Sequence, residues 1–110
     1  MIGFTMVYAI VYEFRCGRKR EVMRGLGCIR VGESSCLMDA SDKDARSVYA
    51  RIVGALAVAT GLDDHDVIGH DERLYVIPIS HVAGHGAADV DGWIDRRKLL
   101  RPAVAQAAWA

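Results

Sequence analysis

Glu13 is the first charged residue of the chain, and it closes the apolar run Met6-Val7-Tyr8-Ala9-Ile10-Val11-Tyr12. A carboxylate at the end of a buried strand is held rigidly. Two such groups, brought together across the axis of a homodimer, can share a hard divalent ion such as Mg²⁺ or Mn²⁺. That ion would activate water and stabilise the charge that develops on a phosphodiester. The competing use of the same position is a plain solvated strand end. Behind the acid comes a basic stretch: Arg15, Arg18, Lys19, Arg20, Arg24 and Arg30. Guanidinium groups and the free amides at a helix N-terminus both suit phosphate, so these six are the candidate nucleic-acid contacts. Glu21 dilutes their charge, and a solvated helix face is the alternative. Tyr8, Tyr12 and Tyr75 carry ring faces on which single-stranded bases can stack. Their setting among apolar strand residues makes core or dimer contacts the stronger reading.

Other groupings carry less. Asp63-Asp64-His65-Asp66, with His70 and Asp71, gathers carboxylates and imidazoles that bind divalent ions in other settings. The spacing matches no established metal loop, so an exposed acidic loop is expected. His81 and His85 stand four apart, but Gly84 and Gly86 argue against the helix that would align them, and no Glu follows His81. Ser34 and Ser35 lack the glycine pattern of a nucleophile elbow. No phosphate-cradling glycine loop is present, which argues against a nucleotide hydrolase. Cys16, Cys28 and Cys36 are an odd number without CxxC spacing. They read as buried or idle thiols of a reducing, cytoplasmic setting rather than a disulfide framework or zinc site.

Composition sets the frame. With 110 residues, 52% of them hydrophobic and 25% charged, the chain has ordinary globular usage and room for one core. A core this small gains from pairing with a second copy, so a homodimer is expected. Fourteen basic residues balance fourteen acidic ones, which argues against a dedicated non-specific DNA binder but leaves room for a local basic patch. The opening apolar stretch, residues 4–11, is too short to span a bilayer and has no basic leader, so no membrane partner is expected.

The elements that must position Glu13 and the arginines follow from periodicity. Residues 5–14 are rich in β-branched and aromatic types, as in a central strand buried on both faces. A short helix over residues 18–26 stops at Gly27. Residues 28–31 and 34–38 form a hairpin around Gly32-Glu33. Ser41 or Asp42 caps a longer helix, with Asp44 near its positive end. Ala45, Val48, Tyr49, Ile52, Val53 and Leu56 recur along it at helical spacing, and it ends near Thr60-Gly61. Residues 62–72 are a loop, and 73–80 a strand that, because Pro78 cannot donate to a ladder, lies at a sheet edge or ends near that residue. Residues 81–110 begin with a glycine-rich loop and end in a helix over 102–109. Strand, helix, hairpin, helix, strand is the βαββαβ order of an α+β, ferredoxin-like domain, with both helices on one face of an antiparallel sheet. This assigns residues 1–80 to the ferredoxin-like domain and 81–110 to a C-terminal extension packing on it or on a dimer partner.

The run Val7-Tyr8-Ala9-Ile10-Val11-Tyr12-Glu13 resembles the opening strand of the CRISPR-associated protein two family and its VapD-like and SinR-like relatives. There an apolar strand closes with Tyr-Asp. Ile29-Arg30-Val31-Gly32-Glu33-Ser34-Ser35-Cys36-Leu37 is similar to the family's Arg-Val-x-x-Ser segment and following strand. Asp71-Glu72-Arg73-Leu74-Tyr75-Val76-Ile77-Pro78-Ile79 is similar to its closing strand. The resemblance spans residues 5–80. It implies a ferredoxin-like homodimer whose strand-end acid, Glu13, holds the metal of an endoribonuclease or DNase, or a scaffold between integrase subunits. Three departures stand against full transfer. Glu13 adds a methylene where the family has Asp, residues 60–70 look inserted, and the tail after Ser80 does not align. Function is therefore read as nucleic-acid processing of RNA or DNA, catalytic or as a scaffold. The alternative is a dimeric regulatory or small-ligand-binding module without enzyme activity.

Overall fold

In the computed structural model, which describes residues 6–41, 44–82 and 88–97, the opening apolar run forms strand β1 (Met6–Glu13). Helix α1 (Gly17–Arg24), strands β2 (Ile29–Gly32) and β3 (Ser35–Ala40), helix α2 (Ala45–Thr60), strand β4 (Arg73–Ile79) and helix α3 (Ala88–Arg96) follow. The four strands make one antiparallel sheet in the order β2-β3-β1-β4. β3 separates β1 from β2, and β1 separates β3 from β4. Each strand–helix–strand passage is thus split by a strand of the other, which is an α+β, ferredoxin-like arrangement. β4 lies at an edge, where the missing N–H of Pro78 does no harm.

Period-two alternation selects one buried face of β1 rather than the two expected from the sequence. On the opposite side only Val7 is buried, Ala9 is half-buried and Val11 exposed. The register sets Tyr8 opposite Met38 and Ile10 opposite Cys36. Together with Tyr12 and Phe14 these side chains meet Met23 of α1, then Val48, Ile52, Val53 and Leu56 of α2, and Leu74 of β4. Both helices therefore pack on the same face, and they also pack on each other. Tyr75 and Ile77 of β4 alternate with Leu74 and point to the other face, where they are exposed.

The ends of the helices refine the sequence expectations. The cap of α2 is Asp44, one turn closer than Ser41 would place it, and its carboxylate accepts the Ser47 N–H at 2.8 Å. Asp42 lies outside the described residues. Asp44→Ala is expected to lower stability by about 1 kcal/mol, the usual worth of such a cap. The check is a lower urea midpoint at unchanged slope. At the other end Gly61 adopts φ 75°, a left-handed cap that returns its N–H to Ala57. α1 ends at Arg24 with Gly25 as its cap, before Gly27, which takes φ 74° in the turn that follows.

The chain divides into two compact units, Met1–Pro78 and Ile79–Ala110. The second contains α3, which has no counterpart in the sequence reading. Its apolar residues Val90, Trp93 and Ile94 do sit at helical spacing, with Asp89 and Asp91 favourably placed in the first turn. The guanidinium of Arg97 lies 3.6 Å from the Trp93 ring centroid and donates to the Trp93 carbonyl at 3.0 Å. The helix expected over 102–109 falls outside the described residues. Among the described residues no helix is long and apolar enough to cross a membrane.

Candidate functional site

β1 ends at exposed Glu13, but the residues on either side of it are covered. Tyr12 and Phe14 stay buried, their rings stacked at 5.7 Å between centroids. The chain then turns through Cys16 into α1, so that the first helical residues fold back over the strand end. Lys19 marks the turn. Its ammonium lies 5.7 Å from the Phe14 ring centroid and donates to the Val67 carbonyl at 2.5 Å and to Glu72 Oε1 at 2.6 Å. Glu72 also accepts the backbone N–H groups of Arg15 and Gly69, both at 2.9 Å. One carboxylate thus ties the end of β1, the start of α1 and the loop before β4 together. Burial pushes the Glu72 carboxyl up, but the Lys19 ammonium and the two N–H donors outweigh it and hold it below its ordinary range.

The six basic residues named from the sequence divide by what they touch. Lys19 is in the interior. Arg15 pairs with Asp71 at 2.7 Å on the surface, and Arg18 donates to the Ala59 carbonyl at the end of α2. Arg20, Arg24 and Arg30 converge instead on one cleft of about 360 Å³ at the end of β1, lined also by Tyr12, Glu13, Phe14, Glu33 and Ser34. Arg20 is fixed there by the carbonyls of Phe14 (2.9 Å) and Arg15 (3.1 Å). Arg30 is fixed by the Glu33 carbonyl (3.1 Å). A guanidinium has five N–H donors, so both retain donors for a ligand. Arg24 projects from the last turn of α1 and is exposed.

Tyr12 forms part of the cleft wall. Burial raises its phenol, with the Cys36 and Cys28 thiols adding to the effect, and the Arg30 and Arg24 charges do not reverse it. It is a neutral, buried phenol rather than a free stacking face. Tyr8 is wholly buried in the core, and only Tyr75 of the three tyrosines is exposed.

Glu13 is on the cleft rim, its side chain 64% exposed and 3.4 Å from Arg73 Nε. The neighbouring guanidinium partly neutralises it, which shifts the balance of the cleft toward positive. Among the described residues no three His, Cys, Asp or Glu side chains come together as a metal-holding group. Asp63, Asp64, His65, Asp66, His70 and Asp71 are all exposed, as expected of a solvated acidic loop. His81 bonds to neighbouring Ser80 at 3.0 Å, and His85 is outside the described residues.

Sequence reasoning did not separate the three convergent arginines from the other basic residues. Arg20 and Arg24 are four apart on one helical face, which is legible, but Arg30 joins them only through the β2–β3 hairpin. Comparison of the chain with protein-family models, curated proteins and solved structures finds no match.

Proposed function

We propose that the chain binds nucleic acid, with Arg20, Arg24 and Arg30 holding backbone phosphate in the cleft at the end of β1. The observation that carries this reading is the convergence of three guanidiniums from α1 and β2 on one concavity, two of them already oriented by backbone carbonyls. Pre-oriented arginines suit phosphate because the fork of N–H donors matches its oxygens and little side-chain freedom is lost on binding. A cleft of about 360 Å³ takes a short stretch of backbone rather than the side of a duplex, which favours a single strand. The balanced charge of the whole chain fits a local contact better than a long electrostatic track.

A second reading, metal-dependent cleavage of RNA or DNA, draws on Glu13 lining the same cleft. It is also the activity that the resemblance of the opening strand implies. A hard ion takes several oxygen ligands, so this reading needs Glu13 from a second copy as well, and with it a homodimer. Mg²⁺ or Mn²⁺ would supply the activated water, and the arginines would hold the phosphate on either side of the scissile bond.

The test is fluorescence anisotropy with short single-stranded RNA and DNA, beside the same oligonucleotides incubated with Mg²⁺ or Mn²⁺. Binding that weakens steeply with salt supports the first reading, and no binding at low salt removes it. Cleavage that disappears in Glu13→Gln supports the second. If cleavage persists in that variant, Glu13 is not its metal ligand. A dimeric small-ligand module would give neither result, but mononucleotides or pyrophosphate would raise its Tm.

A further inference from the structure

Two thiols share one face of the β2–β3 hairpin with Arg30. Arg30 of β2 stands opposite Cys36 of β3, and Cys28 precedes Arg30 by two residues, which puts it diagonal to Cys36 on the same face. The packing agrees with the register. Cys36 is fully buried in the core, and Cys28 is partly buried against it, its Sγ 3.6 Å from the Met23 carbonyl oxygen. β2 begins only at Ile29, so Cys28 lies just before the regular ladder, at the end of the connection from α1. As a hydrogen-bond donor the Cys36 thiol favours the Cys28 thiolate, and the Arg30 charge bears on both.

We infer that Cys28 and Cys36 are a redox pair, with Cys28 the thiol that reacts with a hydroperoxide and Cys36 the thiol that closes the disulfide. The environment divides these roles. The hydrogen bond from Cys36 lowers Cys28 to about 7 despite burial, helped by its own backbone N–H and by Arg30. The same bond, burial and the Cys28 charge raise Cys36. Near neutral pH the partly exposed sulfur is therefore the nucleophile and the buried one keeps its proton.

With hydrogen peroxide the Cys28 thiolate attacks one oxygen. An S–O bond forms, the O–O bond breaks, and the departing hydroxide takes up a proton as water. Cys28 is left as a sulfenic acid, oxidised by two electrons. Cys36 then loses its proton as its sulfur attacks Cys28. The S–S bond forms, the S–O bond breaks, and hydroxide leaves with that proton as a second water. Two thiols and one peroxide give one disulfide and two waters, and a dithiol reductant reverses the change. Closure also removes a negative thiolate from beside Arg30, leaving more of the cleft's positive charge for an anion. That consequence rests on the proposed function, whereas the pair itself does not.

Cys16 is the competitor, since it is exposed at the start of α1 and is also lowered, chiefly by backbone N–H groups of Lys19 and Arg18. The experiment treats the full chain and its Cys16→Ser variant with equimolar hydrogen peroxide, followed by thiol titration and peptide mapping. The expected result in Cys16→Ser is loss of both remaining free thiols, a mapped Cys28–Cys36 linkage and a Tm that rises until reductant is added. With Cys36→Ser added, Cys28 should stop at a sulfenic acid that a dione reagent captures. Two free thiols remaining in Cys16→Ser, or linkage only between chains, would overturn the inference. Either failure is visible without measuring nucleic-acid binding.

Discussion

Lys19→Met is expected to cost about 3–5 kcal/mol, a large part of the roughly 5–15 kcal/mol that a small domain has in total. The reason is geometric. Lys19 and Glu72 have side chains only 7% and 6% exposed, and Glu72 would be left as a buried carboxylate without its cation. Glu72→Gln should be costly for the complementary reason, since the ammonium would keep only the Val67 carbonyl and a neutral amide. Because the two residues share one interaction, the double variant Lys19→Met/Glu72→Gln is expected to lose less than the sum of the single losses. Urea unfolding of all four proteins at neutral pH measures the coupling. Additive losses would mean that the pair contributes nothing as a pair.

The acid limb of the stability curve gives the same interaction a second signature. Glu72 is held below its ordinary value in the folded state, so in acid the unfolded chain binds this proton first. The contribution is fully present above the unfolded carboxylate value, about 4.3. It is lost as pH falls through the lower folded value. Wild-type protein should therefore lose more stability than Glu72→Gln over this acid window, and their curves should converge at its bottom.

This pair also marks where sequence reading runs out. Lys19 stands among arginines at the start of a polar helix, which looks like a solvated basic face. Its partner is 53 residues away, and nothing local distinguishes it from Arg18 or Arg20. By contrast β1 and α2 were legible because their signals are local: a β-branched and aromatic run in one, apolar residues at helical spacing in the other. Pro78 limited β4 to an edge position or an end nearby for a similarly local reason, the missing donor, and β4 is an edge strand. α3 was obscured because Gly92 and three aspartates interrupt an apolar stripe that only Val90, Trp93 and Ile94 maintain.

The candidate site was half legible. Glu13 at the end of β1 and the basic stretch after it could be read directly, and the cleft does form at that strand end. Which cations reach it depends on handedness and pairing, since α1 turns Arg20 and Arg24 toward the cleft while Arg15 and Arg18 take partners elsewhere. Cys28 and Cys36 were set aside for lacking CxxC spacing. The hairpin brings them together across strands, a neighbourhood that linear spacing does not encode.

The division among the basic residues leads to the strongest test of the cleft. If Arg20, Arg24 and Arg30 each neutralise one phosphate of a single strand, the log–log salt slope of binding should be about −2, at about −0.7 per contact. Affinity would then fall roughly twentyfold between about 50 and about 200 mM salt. Arg24→Ala with Arg30→Ala is expected to weaken binding roughly thirtyfold at low salt, taking about 1 kcal/mol for each exposed charged contact. The slope should drop to about −0.7. Arg24 is the cleaner single variant, because it is exposed on the last turn of α1 and its loss leaves the core untouched. Arg20 is less suitable, since its removal also strips the carbonyls of Phe14 and Arg15 of their donor. The decisive control is Arg15→Ala with Arg18→Ala, which removes equal charge from outside the cleft. A diffuse basic face would respond to both pairs alike, in affinity and in slope. A formed cleft requires that the outer pair change binding and slope little while the inner pair weakens binding roughly thirtyfold and flattens the slope.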